Sequence, residues 1–253
     1  MTCSIAIDIG NTRTHLGLIS PDNRTCLKRI DFSSVQIEKN LLDAVNDLTE
    51  ACNREIKCII VSGGIRNAVE RSLEILSQSC KNVFEFKYTR SFPVRFEYKD
   101  VSVLGSDRIA HALYGNFAFP GQSLIIIGSG TAITADLLIK GKFMGGAILP
   151  GINMQLNSLH RSTDALPDVY PEGDFSLPGK STEQCILTGV MNGTAGALEK
   201  IINRYKEIFP EENFRIIASG GAWTKLEDIV KFRAEFFPDM TLLGVSLFPC
   251  CSG

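Results

Sequence analysis

The sequence predicts an α/β fold made of two similar halves, and three observations carry that expectation. Short apolar runs suited to buried strands alternate with stretches of helical periodicity. Each half opens on two apolar runs joined by a tight glycine-containing turn, SIAIDIGNTRTHLGLI from residue 4 and SLIIIGSGTAITADLL from residue 123. Each half also carries a later strand-like run ending in paired glycines, CIIVSGG at 58–64 and RIIASGG at 215–221. The same order twice over marks an internal repeat. A doubled unit of this kind implies a cleft between its copies.

Taken in chain order, CSIAIDI (3–9) and THLGLI (14–19) read as the first hairpin. Val35, Ile37, Leu41, Leu42, Val45, Leu48 and Ala51 recur at helical spacing and predict a helix over 35–53. CIIVSGG is a buried strand, a helix follows near 66–79, and VFEFKY reads as a short strand. LGSDRIAHAL (104–113) opens a helix with Ile109, Ala110 and Leu113 on its buried face and Ser106 or Asp107 as its cap. FAFPGQ sets a boundary near 110–121, giving domains over 1–118 and 119–253. In the second half the hairpin at 124–138 leads into GKFMGGAILPG, another strand pair or a strand with a Gly-Pro stop. Helices are predicted at 151–160 and 181–206, the second with Ile186, Leu187, Val190, Met191, Ala195, Leu198, Ile201 and Ile202 along one face.

Composition narrows the class. A chain of 253 residues with 44% hydrophobic and 21% charged residues can bury a substantial core as an ordinary globular protein. A net charge of -2 argues against a nucleic-acid binder, which carries a basic surplus. MTCSIAID has no basic segment ahead of its apolar run, so no signal peptide is expected. No apolar stretch approaches the roughly 20 residues that span a bilayer. The eight cysteines form no CxxC pair and read as reduced thiols of a cytoplasmic protein, with Cys250-Cys251 either an inert exposed pair or a redox-active one.

The turns carry the chemistry. A strand delivers Asp8 to its carboxyl end, and Gly10 lets the chain reverse without a Cβ clash. Asn11 and Thr12 then offer backbone and side-chain donors to phosphate oxygens, while the Asp8 carboxylate suits Mg²⁺, held directly or through water. Asp-x-Gly-Asn is also an ordinary hairpin turn. Gly130-Thr131, with Thr134 beyond, supplies a second set of donors. At the helix start, Asp107 either caps the helix or takes a proton from a substrate hydroxyl, with Arg108 beside it for a polar or anionic group. Of the three histidines, His111 and His160 suit core or surface roles, and His15 closes the first loop.

DIGNTRTH, LGSDRIAHAL, GSGTAITAD, GGAILPGINMQLNSLHRSTDALP, GKSTEQCILTG and ASGG occur in the order and approximate spacing found in type III pantothenate kinases. The chain resembles that family over nearly its whole length. The resemblance implies the duplicated actin-like (ribonuclease H-like) fold, with two lobes around a nucleotide cleft. It implies transfer of the ATP γ-phosphoryl group to pantothenate, the first step of coenzyme A biosynthesis. Asp8, Ile9, Gly10, Asn11, Thr12, Arg13, Thr14 and His15 would form the first ATP loop, and Thr131 the ATP contact of the second. Tyr98, Gly105, Ser106, Asp107, Arg108 and Thr182 would bind pantothenate, with Asp107 as catalytic base. Gly220 and Gly221 resemble the glycines near the adenosine, and TLLGV near 245 resembles a terminal strand. The resemblance further implies a cytoplasmic homodimer using ATP and Mg²⁺.

One position departs from the pattern. The family's second loop opens on an aspartate associated with a monovalent cation, K⁺ or NH₄⁺, and here Gly128 stands in its place. That leaves the cation without its carboxylate. It also keeps open a second reading, a catalytically impaired relative that binds nucleotide or pantothenate and acts as a regulator or partner. Val101 in place of a proline and Trp223 after the ASGG turn are milder departures.

Overall fold

The computed structural model describes residues 2–22 and 24–249. The chain forms two compact units, one of residues 1–120 with 239–253 and one of residues 121–238.

The first unit begins with three antiparallel strands, β1 (Cys3–Ile9), β2 (Arg13–Ile19) and β3 (Cys26–Ser33). Helix α1 (Ile37–Glu50) leads to β4 (Ile56–Gly63), and α2 (Arg66–Ser79) to β5 (Val83–Glu85). Both later strands run parallel to their neighbours, giving the order β3-β2-β1-β4-β5. A two-residue strand β6 (Arg95–Phe96) and helix α3 (Ser106–Ala118) complete this part. Strand alternation sends Ile5, Ile7 and Ile9 to the sheet face that α1 and α2 cover through Leu41, Val45, Leu48, Val69 and Leu76. Asp8 therefore points to the opposite face.

The second unit repeats the plan. Strands β7 (Ser123–Ser129), β8 (Ala132–Ile139) and β9 (Lys142–Pro150) are antiparallel. They are followed by α4 (Ile152–Arg161), α5 (Thr182–Ile208), β10 (Phe214–Ser219), α6 (Trp223–Leu226) and β11 (Glu235–Phe236). Its strands take the order β11-β10-β7-β8-β9, the arrangement of the first unit with its two parallel additions in the same places. Ile125, Ile127, Ile133, Met191, Leu198 and Trp223 are among the residues that fill its core.

The last helix, α7 (Met240–Val245), belongs to the first unit, whereas the sequence boundary placed it in the second and the resemblance implied a strand. It packs on α3, β1 and β2. Gly244 makes the fit possible, because a Cβ there would strike the backbone of Ala110. Arg29 of β3 holds the helix start through Nη1 to Asp239 Oδ1 at 2.9 Å, and Arg24 Nη1 donates to the Ser246 carbonyl at 2.6 Å. An apolar pentapeptide fits strand or helix equally by pattern, and this packing decides it.

Other elements differ from expectation in smaller ways. Val35 lies in a short 3-10 turn at 93% exposure, so the helix face starts at Ile37. Strand β3 has no counterpart in the sequence reading. Cys3, Cys26, Cys52, Cys58, Cys80 and Cys185 are free thiols, while Cys250 and Cys251 lie outside the described residues. No described helix is long and apolar enough to cross a membrane.

Candidate active site

The first loop is a tight reversal between β1 and β2. The Gly10 N–H donates to the Arg13 carbonyl at 3.0 Å, and a Cβ on Gly10 would approach that oxygen to 2.9 Å. Ser34 braces the turn from beyond β3: its N–H donates to the Thr12 carbonyl, and its hydroxyl to the Gly10 carbonyl at 2.7 Å. Asn11, Thr12 and Arg13 are exposed at the tip. The side chains of Ile9 and Thr14 are fully buried, and the Thr14 hydroxyl is 3.0 Å from that of Ser34. Ile9 and Thr14 therefore shape the loop from inside, and only their backbone could meet a ligand.

Asp8 pairs with His15 on β2 and with Ser62 on β4, and His15 pairs with Asp31 on β3. Register thus lines up Asp31, His15, Asp8 and Ser62 as a polar row across four strands. The His15 ring is fixed by Nδ1 to Asp31 Oδ1 at 2.6 Å. Arg29 Nη2 also comes within 3.0 Å of that nitrogen, but a single tautomer cannot serve both, and the shorter contact to the carboxylate sets it. Arg29 Nε donates to the same Asp31 oxygen at 2.8 Å. Sequence reasoning missed Arg29, since a basic residue in an unrecognised edge strand gives no signal.

Helix α3 presents the second group. Its N-cap is Gly105, not Ser106 or Asp107, and no side chain caps it. The Asp107 carboxylate instead accepts from the Arg108 N–H at 2.9 Å and remains exposed to solvent. The backbone turns inward one residue later, so Arg108 is buried, and its guanidinium stands 5.8 Å from the centroid of the Tyr98 ring. Tyr98, Gly105, Asp107 and Arg108 are thereby gathered at one end of α3, with Ser106 half-buried beside them. One turn on, His111 is buried with Nε2 2.9 Å from Thr241 Oγ1 of α7, and burial lowers its pKa.

The two carboxylates feel each other. Burial pushes the Asp8 pKa up to about 7, the negative charge of Asp107 pushes the same way, and Arg29 opposes both. Ser62 also draws it down slightly, although the Ser62 hydroxyl makes no well-formed hydrogen bond. Asp8 keeps some contact with solvent, so its burial is incomplete. A pair of carboxylates that repel, beside an exposed loop of oxygen donors, has the chemistry a hard divalent cation prefers. Among the described residues no group of three or more His, Cys, Asp or Glu could hold a metal ion.

In the second unit, the loop 129–131 is held by backbone on two sides. The Ala222 N–H donates to the Ser129 carbonyl at 3.1 Å and the Gly151 N–H to the Thr131 carbonyl at 3.0 Å. Gly220, at φ 98°, lies so close to Ser129 that a Cβ would come within 2.5 Å of its carbonyl oxygen. Gly130, Thr131 and Gly221 are exposed, and Thr182 is exposed at the first position of α5 behind its Ser181 cap. Gly128 is buried between Thr134 of β8 and Ser219 of β10. The Ser129 hydroxyl is turned away from the loop tip and donates to the carbonyls of Ser219 at 2.8 Å and Gly220 at 3.1 Å. Asp136 is buried opposite Ile126, about 7 Å further along the strands than Gly128.

Two units of one topology, each with a tight turn after its first strand, define the class: the fold of the actin-like ATPases and sugar kinases. The fold resembles that of the activator of the 2-hydroxyisocaproyl-CoA dehydratase from Clostridium difficile, solved with bound ADPNP. The TM-score is 0.56 at 13% identity, covering 98% of this chain and 94% of that one. A ROK family glucokinase from Streptomyces griseus, in complex with glucose and AMPPNP, gives 0.54 at 10% identity over 96% and 97%. The sequence pattern of type III pantothenate kinases matches residues 4–204. A type III pantothenate kinase of Kosmotoga olearia is 32% identical over 257 residues, spanning 96% of this chain and 94% of that one. The chain belongs to the type III pantothenate kinase family.

Proposed function

We propose that this protein phosphorylates pantothenate with ATP, the first step of coenzyme A biosynthesis. Family membership supports the reaction, and one local observation carries the assignment of roles: the exposed Asp107 carboxylate beside a buried Arg108 whose guanidinium stands over the Tyr98 ring. In this reading Asp107 is the general base. It accepts the proton of the primary hydroxyl as that oxygen bonds to the γ-phosphorus, and the bond from γ-phosphorus to the bridging oxygen breaks to release ADP. Arg108 and Tyr98, with Gly105, Ser106 and Thr182, bind and orient pantothenate, the guanidinium meeting its carboxylate.

Asp8 with Gly10, Asn11, Thr12, Arg13 and the backbone of Ile9, Thr14 and His15 takes the phosphates, and Thr131 of the second loop supplies a further contact. Gly220 and Gly221 lie near the adenosine, Gly220 packed on the Ser129 backbone and Gly221 with open space where a side chain would stand. Asp8 would hold Mg²⁺ directly or through water, and the ion when bound neutralises charge on the phosphate oxygens. The six free thiols suit a reducing cytoplasm. Exposed apolar side chains on the second unit, Met144, Ile148, Met154 and Tyr170, favour a homodimer, which sedimentation analysis tests directly.

The deciding experiment incubates the purified protein with ATP, Mg²⁺ and pantothenate and follows 4′-phosphopantothenate by mass spectrometry. Product formation that vanishes in Asp107→Asn is the expected result. Pantothenate binding in calorimetry without product in any condition would instead mark a binding protein that has kept the fold.

A further inference from the structure

The residues at the mouth of the second loop do not fit a monovalent cation. Gly128 has no side chain and is buried. The neighbouring hydroxyl, Ser129 Oγ, donates to the carbonyl oxygens of Ser219 and Gly220, and the Gly220 oxygen also accepts the Trp223 N–H, so the carbonyls a cation would gather here are already engaged. Asp136 sits about 7 Å down the strands, enclosed so closely that a Cβ on Gly146 would collide with its carboxylate.

The hydrogen bonds also supply something in return. The Ser129 hydroxyl ties the end of β7 to the β10–α6 turn across 90 residues of chain, at 2.8 and 3.1 Å. The backbone closes the same joint from the other direction, with the Ala222 N–H on the Ser129 carbonyl. Two glycines then let the surrounding backbone approach to within contact distance: Gly220 against Ser129, and Gly151 against Gly130 and Thr131. A loop fixed by two hydroxyl bonds, three amide bonds counting the Gly130 N–H to the Ala132 carbonyl, and two glycine contacts has its geometry set before any ion arrives.

We infer that Ser129 acts here as a positioning residue that clasps the second loop to the β10 turn and makes the protein independent of K⁺ and NH₄⁺. The inference rests on the kinase reading for its catalytic consequence, but not for the clasp itself. The chemistry is simple. A cation at this place would gather carbonyl oxygens by its charge, and a hydroxyl donor gathers two of them by hydrogen bonds, with no charge left to neutralise. A buried glycine at 128 is then the compatible neighbour, since a carboxylate beside a hydrogen-bonded clasp would lack a counter-ion.

Three measurements test this on the full chain. Melting temperatures are compared in tetramethylammonium, Na⁺, K⁺ and NH₄⁺ chlorides at equal ionic strength, with no substrate present. Affinity for a non-hydrolysable ATP analogue is measured by calorimetry in the same salts, and turnover of ATP and pantothenate follows. For the wild-type chain the expected results are equal melting within about 1 °C, and affinity and turnover constant within about twofold across the salts. Ser129→Ala should weaken analogue binding about five- to tenfold, equally in every salt, with KM for ATP rising more than kcat falls. Gly128→Asp should become ion-responsive, melting higher in K⁺ than in tetramethylammonium.

A K⁺- or NH₄⁺-specific rise in wild-type melting of about 3 °C or more overturns the inference. So does an analogue affinity unchanged by Ser129→Ala. If no salt supports phosphopantothenate formation, the kinase reading falls while melting and analogue affinity still decide the clasp. Turnover confined to K⁺ or NH₄⁺ would sink the clasp and leave the kinase standing.

Discussion

Asp107 Oδ1 occupies the space where a side chain on Gly105 would project, 2.5 Å from the position of an ideal Cβ. The carboxylate is folded back over the start of its own helix, held by the Arg108 N–H, and a glycine two residues earlier is what permits it. Gly105 has φ -53° and ψ 134°, values any residue adopts, so its backbone does not require glycine. The requirement comes from the carboxylate alone.

Gly105→Ala is therefore expected to separate stability from activity. The methyl group forces Asp107 into another rotamer, and a displacement on the order of 1 Å at the base lowers kcat by about 10- to 100-fold. Melting temperature stays level or rises, because alanine reduces the freedom of the unfolded chain at a compatible backbone conformation. Parallel kinetics and thermal unfolding check both halves. A variant with full kcat would show that the observed Asp107 rotamer is not the working one.

Asp107→Asn removes the base and little else. The amide oxygen can still accept the Arg108 N–H, and the side chain is exposed, so unfolding should shift by less than about 0.5 kcal/mol. Turnover should fall by about 10²- to 10⁴-fold, the usual worth of a positioned general base. Pantothenate affinity measured by calorimetry should persist, since Arg108 and Tyr98 are untouched.

Asp8 makes a pH-dependent prediction with a definite sign. Its folded pKa is raised from 3.8 to about 7, so the folded state keeps a proton that the unfolded state has already lost over that interval. Its contribution to stability is complete below pH 4 and is lost as pH rises through 7. A shift of this size is worth at most about 4 kcal/mol, and solvent contact leaves about 1–2 kcal/mol of it. Asp8→Asn should thus stabilise the ligand-free protein by that amount at pH 8 and by nothing at pH 3. Mg²⁺ should narrow the difference at pH 8 by raising the melting temperature of the wild-type chain only. The same variant should lose most of its turnover.

The uneven legibility of the sequence has physical causes. Both hairpins, α2 and the long α5 announce themselves because a buried face imposes its period on the residues. Strand β3 does not: it is the half-exposed edge of its sheet, and Lys28, Arg29 and Asp31 break its apolar pattern. The placement of Asp8 near the end of β1 and of Asp107 at the start of α3 is legible from turn and helix-start signals. The setting of Asp8 is not, because Arg29 is fixed by Asp239 across 210 residues, a contact no local window contains. The capping expectation at Ser106 or Asp107 failed for a related reason. Asp107 folds back over Gly105 and accepts the N–H of the next residue, while Gly105 takes the N-cap.

Helix α7 offers a purely structural test. Gly244 sits against the backbone of Ala110, and a methyl group there has no room, since a carbonyl cannot rotate away as a side chain can. Gly244→Ala should cost about 1–3 kcal/mol by separating α7 from α3. Because α7 also carries Thr241, the partner of His111, the loosened helix should expose α3 amides to hydrogen exchange before global unfolding. Protection factors unchanged along 106–118 would show that α7 does not brace this helix.

Trp223 closes the core of the second unit at 1% exposure, 6.0 Å from the Phe232 ring, and its indole N–H has no partner among the described residues. An orphaned buried donor costs about 1–3 kcal/mol, while the ring itself contributes through packing. Trp223→Phe trades the two: it removes the unsatisfied N–H and leaves a small void. Its unfolding free energy should stay within about 1 kcal/mol of the wild-type value, whereas Trp223→Ala should lose about 3–5 kcal/mol. Urea denaturation midpoints at constant slope distinguish these outcomes. A phenylalanine variant as unstable as the alanine one would mean that the indole N–H is satisfied in solution, by a buried water bridging it to a backbone carbonyl.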